Sequence, residues 1–505
     1  VKLPFPERIP LASVFYFAGI LCVVQLLEGS SGVFSLGCLG FIVISALAFN
    51  FAGGFTRPSG SYIFFFSVLA VIFGLCWKAI IREPAESNLE APDLTISIYF
   101  ASVCMMFVAA VISRQITTKR AILGNLVTDA NMQHATVGCL VAGIAIYIAS
   151  TIFDRGNGSV LSALSQINQF VQMAIVLGTI HTIRRSGGTR SINLPVFLGG
   201  LFLFADGIFG FSKQGILTPF LCWLMAAASQ RYKISRIQIC AGLLTAFFIA
   251  HYLVPYAQYG RAYREETSAA NLDVVISLLS NLGDVRQEYL VSSDDAQQDL
   301  IHNYYDTPQG FADRLQMVSM DDAIINYKHQ NGFDGINSVI LDFENLIPHF
   351  IWADKPVFNN GNVFAHEIDL LAADDTSTGI SFSPASVSYA TLGWAGTFLL
   401  LPGLLIILFT LFDSLCGDTR KTPWGLLVAV TFAHIAPEGG IDAIIYSYAY
   451  TAVGIVFAAV VGAYVMPVVG TFFIGPEGIL LRRGVSIRSA PTRLPRPASS
   501  EKLTS

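Results

Sequence analysis

Arg261 and Arg264, in "YAQYGRAYREE", stand one helical turn apart where a long apolar run ends. Two guanidiniums at that spacing can clamp a phosphate in bidentate fashion. With Glu265 and Glu266 beside them they equally suit an interfacial ion pair whose stems lie along apolar surface. A second group sits in "PHFIWADKP", residues 348–356, where His349, Trp352, Asp354 and Lys355 are close in sequence. His366, Glu367 and Asp369 follow in "NVFAHEIDLL". A His or carboxylate held near a cation can act as general base on a hydroxyl; the plainer alternative is a solvated loop with Trp352 as an interfacial anchor. Arg286 and Arg314 are further guanidiniums, each with an Asp nearby to pair with. Asp206, His434, Glu438 and Asp442 lie at the ends of apolar runs, where ionisable groups face a cavity or a partner. Ser165, Asn168, Gln169 and Gln172 are expected to share one face of the sixth apolar run, suited to interhelical hydrogen bonds or to lining a polar cavity.

The elements that must hold these groups are membrane helices. The chain has 505 residues, 53% apolar and 13% charged, about half the charge of a soluble domain. A hydrocarbon core about 30 Å thick takes roughly 20 apolar residues as a helix. Runs of about that size fall near 10–28, 32–50, 61–80, 95–113, 135–153, 160–181, 193–206, 214–229, 237–256, 383–412, 424–436 and 443–467, twelve candidate spans in an all-α polytopic bundle. Arg57; Arg114, Lys119 and Arg120; Arg184, Arg185 and Arg190; Arg231, Lys233 and Arg236; and Arg420 and Lys421 all fall in even-numbered loops. Odd-numbered loops are poor in cations. The excess of Lys and Arg on the cytoplasmic side therefore predicts both termini inside, with "VKLPFPERIP" leading an uncleaved first span. All eight cysteines lie in or beside apolar runs without C-x-x-C spacing and read as small core hydrophobes.

The expected organisation is nine spans over 1–256, an outer domain at 257–382, three spans over 383–474 and a basic, disordered cytoplasmic tail at 475–505, suited to anionic lipid. The outer domain carries about 20 Asp and Glu against six Lys and Arg, so its cations stand out. It is too long and too patterned for a plain connector. Leu272, Val275, Ile276 and Leu279 keep helical spacing up to Gly283, a candidate C-cap. Ile340, Phe343 and Ile347 make a second stripe, stopped near Pro348. Short amphipathic helices over the outer mouth of the bundle are predicted. No G-x-G-x-x-G, Walker A, H-E-x-x-H or G-x-S-x-G pattern occurs, so nucleotide hydrolysis and zinc proteolysis lack support.

"LIPHFIWADKP" resembles a signature of bacterial O-antigen polymerases, the Wzy-type oligosaccharide repeat-unit polymerases. "TGISFSPASVSYATLGWAGTFLLLPGLLII" is similar to the segment that follows it in that family, with Tyr389, Gly393 and Gly396 in place. His349 stands where the family often has Arg or Lys, and Val387 where it often has an acid. The resemblance implies a GT-C-like bundle in the bacterial inner membrane with the large loop periplasmic. The activity it implies is metal-independent glycosyl transfer, without cofactor or nucleic acid, from a glycan on undecaprenyl diphosphate to another lipid-linked repeat unit. The product would be an O-antigen, capsule or exopolysaccharide, and a chain-length regulator would be a partner beside the membrane lipids. It further implies that Arg261 and Arg264 bind the diphosphate, with Arg314 and Lys355 assisting. His349, His366 or Glu367 would accept the proton, Trp352 and Tyr389 would offer surfaces to sugar rings, and Arg286 would be a further substrate contact. An O-antigen ligase, which transfers to lipid A core, shares this plan. A lipid-linked oligosaccharide flippase is the rival of another class, disfavoured by the outer domain.

Overall fold

The computed structural model describes residues 1–124, 126–153, 164–263, 268–295, 303–307, 309–348, 351–352, 355, 359–371, 373–375 and 378–475. Arg264, His349, Asp354 and the tail expected at 475–505, apart from Gly475, lie outside them.

All regular elements among the described residues are helical, and seven helices are long and apolar enough to cross a membrane. They are Gly32–Ala52, Pro58–Ile81, Pro92–Ile116, Met132–Phe153, Arg236–Tyr259, Gly396–Cys416 and Gly440–Tyr464. Local chemistry sets where helices begin. Ser31, Asn193, Ser212 and Ser383 accept backbone N–H bonds as N-caps, while Pro58, Pro92, Pro384 and Pro423 occupy first turns, where the missing N–H costs nothing. The helix Arg236–Phe248 buries none of its residues. Its Ile237, Leu243, Leu244 and Phe247 are each at least 60% exposed, an apolar face that suits lipid and not water. Two shorter helices, Phe170–Arg185 and Pro423–Glu438, bury 12 of 16 residues each. Protein rather than lipid surrounds them, so they tolerate polar residues such as Thr179 and His181.

The segment 257–382 carries the helices Ser268–Ser280, Leu282–Asp295, Val318–Asn331, Asn337–Glu344 and Asn360–Glu367. Two adjacent carboxylates fasten it to the bundle. Asp322 accepts the Glu90 N–H (2.6 Å), the Ala91 N–H (3.3 Å) and the Thr95 hydroxyl (2.6 Å), pinning the chain where it enters the helix Pro92–Ile116. Asp321 accepts the Ser383 N–H (2.9 Å), the Ser386 hydroxyl (2.6 Å) and the Tyr99 hydroxyl. Both are buried, so each needs those donors to stay inside.

The two expected stripes need correction. The first helix ends at Ser280, and Gly283 belongs to the first turn of the next helix rather than to a C-cap. It docks through Val275, Val274, Leu278 and Leu279, leaving Leu272 and Ile276 exposed. Its apolar arc is wider than the surface it docks on, so packing against Leu194–Phe209 and not periodicity selects which part is covered. On Asn337–Glu344 the stripe points outward: Ile340, Phe343 and Ile347 are exposed, while Ser338, Val339 and Asp342 are buried.

Candidate functional site

Four charged side chains from four distant parts of the chain meet at one end of the bundle. Arg261 follows the span Arg236–Tyr259 in the single turn Gly260–Tyr263. Lys213 opens the helix Lys213–Ser229, Arg314 ends the short turn Ala312–Arg314, and Glu438 ends Pro423–Glu438. Lys213 lies within electrostatic reach of Arg314, Glu438 and Arg261. Partial burial, then Arg314, push the Arg261 guanidinium below its ordinary range, and Glu438 opposes them. Asp313 adjoins Arg314 and accepts the Gln309 N–H at 2.9 Å. Burial, then Arg314, push Lys213 down to about 7, so the two guanidiniums are the fixed cations, and a multivalent anion bound beside them would favour the charged form of Lys213.

Arg261 is held from beneath. Its Nε donates to the Phe211 carbonyl at 3.2 Å. Phe211 is fully buried with φ at 48°, an uncommon left-handed conformation for an aromatic residue. Its ring presses on Gly260 so closely that a Cβ there would lie 2.2 Å from it. Glycine is therefore required just before the arginine.

A cavity of about 550 Å³ adjoins this cluster. Gln214, next to Lys213, lines it, as does His434, whose Nδ1 is 3.8 Å from Glu438. Asp342, Asn345, Lys355 and Asp442 line it too, with Gln166 and Gln169. Asp342 is 5% exposed, and the Asn360 amide donates to both its oxygens at 3.1 Å. Burial and then the neighbouring Asp442 carboxylate push Asp342 up to about 7, against the pull of Asn360. Such a carboxylate is ionised on a fraction of molecules near neutrality and can take a proton from a hydroxyl. Asp442 is placed by the sharp turn at Gly440, where φ is +60° and the N–H bonds the Phe382 carbonyl at 3.0 Å.

The residues singled out from sequence divide clearly. Arg261 and Arg314 come together, and Lys355 reaches the cavity. Lys355 Nζ donates to the Asn345 and Ile347 carbonyls at 2.7 and 2.8 Å, with its pKa lowered by burial. Glu367 instead pairs with Lys328 at 2.7 Å, and His366 Nε2 is 2.8 Å from the Asp375 carbonyl. Tyr389 is buried, packed edge-on by Phe333 and Trp394, with its hydroxyl 3.2 Å from His329 Nδ1. Trp352 is 38% exposed. Arg286 is placed within reach of His251. Gln166 and Gln169 line the cavity, while Asn168 donates to the Gly143 carbonyl at 3.1 Å, so that polar group serves both alternatives.

Lys213, Asp342 and Asn360 are the residues that sequence reasoning missed. Among the described residues no three His, Cys, Asp or Glu side chains gather as metal ligands do. No family model, curated protein or solved structure matches the chain.

Proposed function

We propose that this cavity carries out glycosyl transfer from a lipid-diphosphate-linked glycan to another lipid-linked repeat unit, building a surface polysaccharide. The observation that carries the reading is the convergence of Lys213, Arg261 and Arg314 near a cavity whose wall holds Gln214, next to Lys213, and the neighbouring carboxylates Asp342 and Asp442. The donor's diphosphate sits among the cations. As the bond between the anomeric carbon and the phosphate oxygen breaks, both electrons go to the diphosphate, and fixed positive charge stabilises it, each donor contributing about 3 kcal/mol. The acceptor hydroxyl oxygen forms the new bond to the anomeric carbon and gives its proton to Asp342. Asn360 positions that carboxylate. Trp352 offers the sugar surface, and Arg264, three residues on in the sequence, would join the clamp.

The topology belongs to the same reading. Helices Leu11–Leu27, Phe170–Arg185, Leu194–Phe209, Lys213–Ser229 and Pro423–Glu438 join the seven long ones to make twelve spans. Both ends face the cytoplasm, and 257–382 faces the periplasm of an inner membrane, where a chain-length regulator would dock. Cation placement in the loops and the resemblance, which covers roughly residues 257–410, support this arrangement. Wild-type protein reconstituted with one lipid-linked repeat unit and no lipid A core should lengthen it; Arg261→Ala and Arg314→Ala should not. Transfer to core alone would make the protein a ligase.

A further inference from the structure

We infer that residues 333–347 are not a loop standing in water but a limb dipped into the bilayer leaflet next to the cavity, with its apolar edge against phospholipid acyl chains. The inference stands apart from the proposed reaction and would hold whatever the cavity binds.

Depth is the first argument. The span Gly440–Tyr464 has 25 residues, about 37 Å of helix against a core of about 30 Å. Centred, it projects about 4 Å beyond the hydrocarbon at each end. Tyr450 lies ten residues along it, about 15 Å from Gly440 and so about 11 Å inside the boundary. Its hydroxyl donates to the Leu346 carbonyl at 3.2 Å. Side chains lean back towards a helix's N-terminus, which raises the contact point only by the length of a tyrosine. Leu346 and Asn345 line the same cavity as Thr451, one residue deeper, and as Asp442 and Ala443 near the boundary.

Polarity is the second. On this limb the usual arrangement is reversed. Ile340 and Phe343 on the helix Asn337–Glu344, Phe333 and Ile336 before it and Ile347 after it are each 36–50% exposed. Asp334, bonded to Lys328, and Asn337 are exposed as well, so the reversal is complete only from Ile340 to Ile347. Ser338, Val339 and Asp342 face inward and are under a tenth exposed. A helix in water turns its apolar face in; one between lipid and a polar cavity turns it out. The exposed edge is also continuous with lipid-facing surface. Phe333 packs over Gly393 and edge-on to Tyr389 at 5.4 Å, beside Trp394, Phe398 and Leu399, exposed at the start of the span Gly396–Cys416.

Backbone chemistry is the third. Non-helical backbone survives at membrane depth only if its carbonyls find donors. Past the helix end at Glu344, three successive carbonyls do: Asn345 and Ile347 accept from Lys355 Nζ, and Leu346 accepts from Tyr450. Lys355 thus satisfies the limb's exit, and the lipid, rather than a second copy, covers the apolar edge.

The full chain, reconstituted in phosphatidylethanolamine–phosphatidylglycerol vesicles, tests this with p-benzoylphenylalanine replacing Ile340 or Phe343, and Asp306 as the water-exposed control. Irradiation should give peptides carrying a phospholipid mass at 340 and 343, several-fold above position 306. Adducts to a second copy, or phospholipid yields equal to those at 306, would overturn the inference.

Discussion

Glu367→Gln separates a structural carboxylate from a catalytic one. Lys328 is 4% exposed at its side chain and donates to Glu367 at 2.7 Å and to Asp334, tying the helices Val318–Asn331 and Asn360–Glu367 together. Desolvation lowers the lysine's pKa, but the two bonds outweigh it and leave it raised, so the pair is intact throughout the neutral range. Glutamine keeps an acceptor but removes the charge, which should cost about 1.5–3 kcal/mol, the worth of a charge-assisted bond. Lys328→Met leaves both carboxylates without their cation. The cost should be near 3 kcal/mol, the low end for breaking a buried pair, because each carboxylate keeps about a quarter of its exposure. Thermal unfolding in detergent, followed by turnover per folded molecule, reads both effects. Both variants should melt earlier, Lys328→Met more so, with per-molecule turnover of Glu367→Gln within about threefold of wild type. Unchanged melting with turnover abolished would refute this and return Glu367 to the role of base.

Asp342 must be ionised to accept a proton. Its pKa in the fold is raised to about 7, so turnover should fall as pH drops through that value, about tenfold per unit below it. Asp442→Asn removes the like charge and should move this acid limb to lower pH, seen in kcat/KM profiles, without restoring an ordinary carboxylate, since burial is the larger cause; Asp342→Asn should lose turnover at every pH. Arg261→Lys keeps the charge but not the Nε bond to Phe211, so it should retain more activity than Arg261→Ala, whose loss should be about 100-fold or more in kcat. Asp322→Ala leaves the Glu90 and Ala91 N–H groups and the Thr95 hydroxyl without their acceptor and should destabilise the protein by about 1–3 kcal/mol in the same melting assay.

The membrane character was legible because apolar runs of span length admit few other readings, and the cations Arg261 and Arg314 were legible because they stand in an acidic segment. Periodicity found the helices of 257–382 but not their faces. At Ile340, Phe343 and Ile347 the pattern was read as if water lay outside, and reversing the solvent turns Asp342 inward to the cavity. That reversal was not visible because a loop's depth depends on a contact such as Leu346 to Tyr450, 104 residues apart. Lys213 had a signal: it is the lone cation of "GFSKQG", a short connection in the cation-poor set. Asp321 and Asp322 read as ordinary acidic-loop residues, since nothing local announces the donors of Glu90, Thr95, Tyr99 and Ser386. "PHFIWADKP" drew notice for its charged residues, and Lys355 proves to serve the carbonyls of Asn345 and Ile347.

The central claim is that the cation cluster and the cavity near it bind a diphosphate-linked glycan and transfer it. Full-length protein in vesicles, supplied with lipid-linked repeat unit extracted from cells lacking this chain, tests it most directly by gel and mass spectrometry. The account predicts a ladder of lengthened glycan on lipid with wild-type protein and none with Arg261→Ala. A repeat unit left at its original length by well-folded wild-type protein would contradict it.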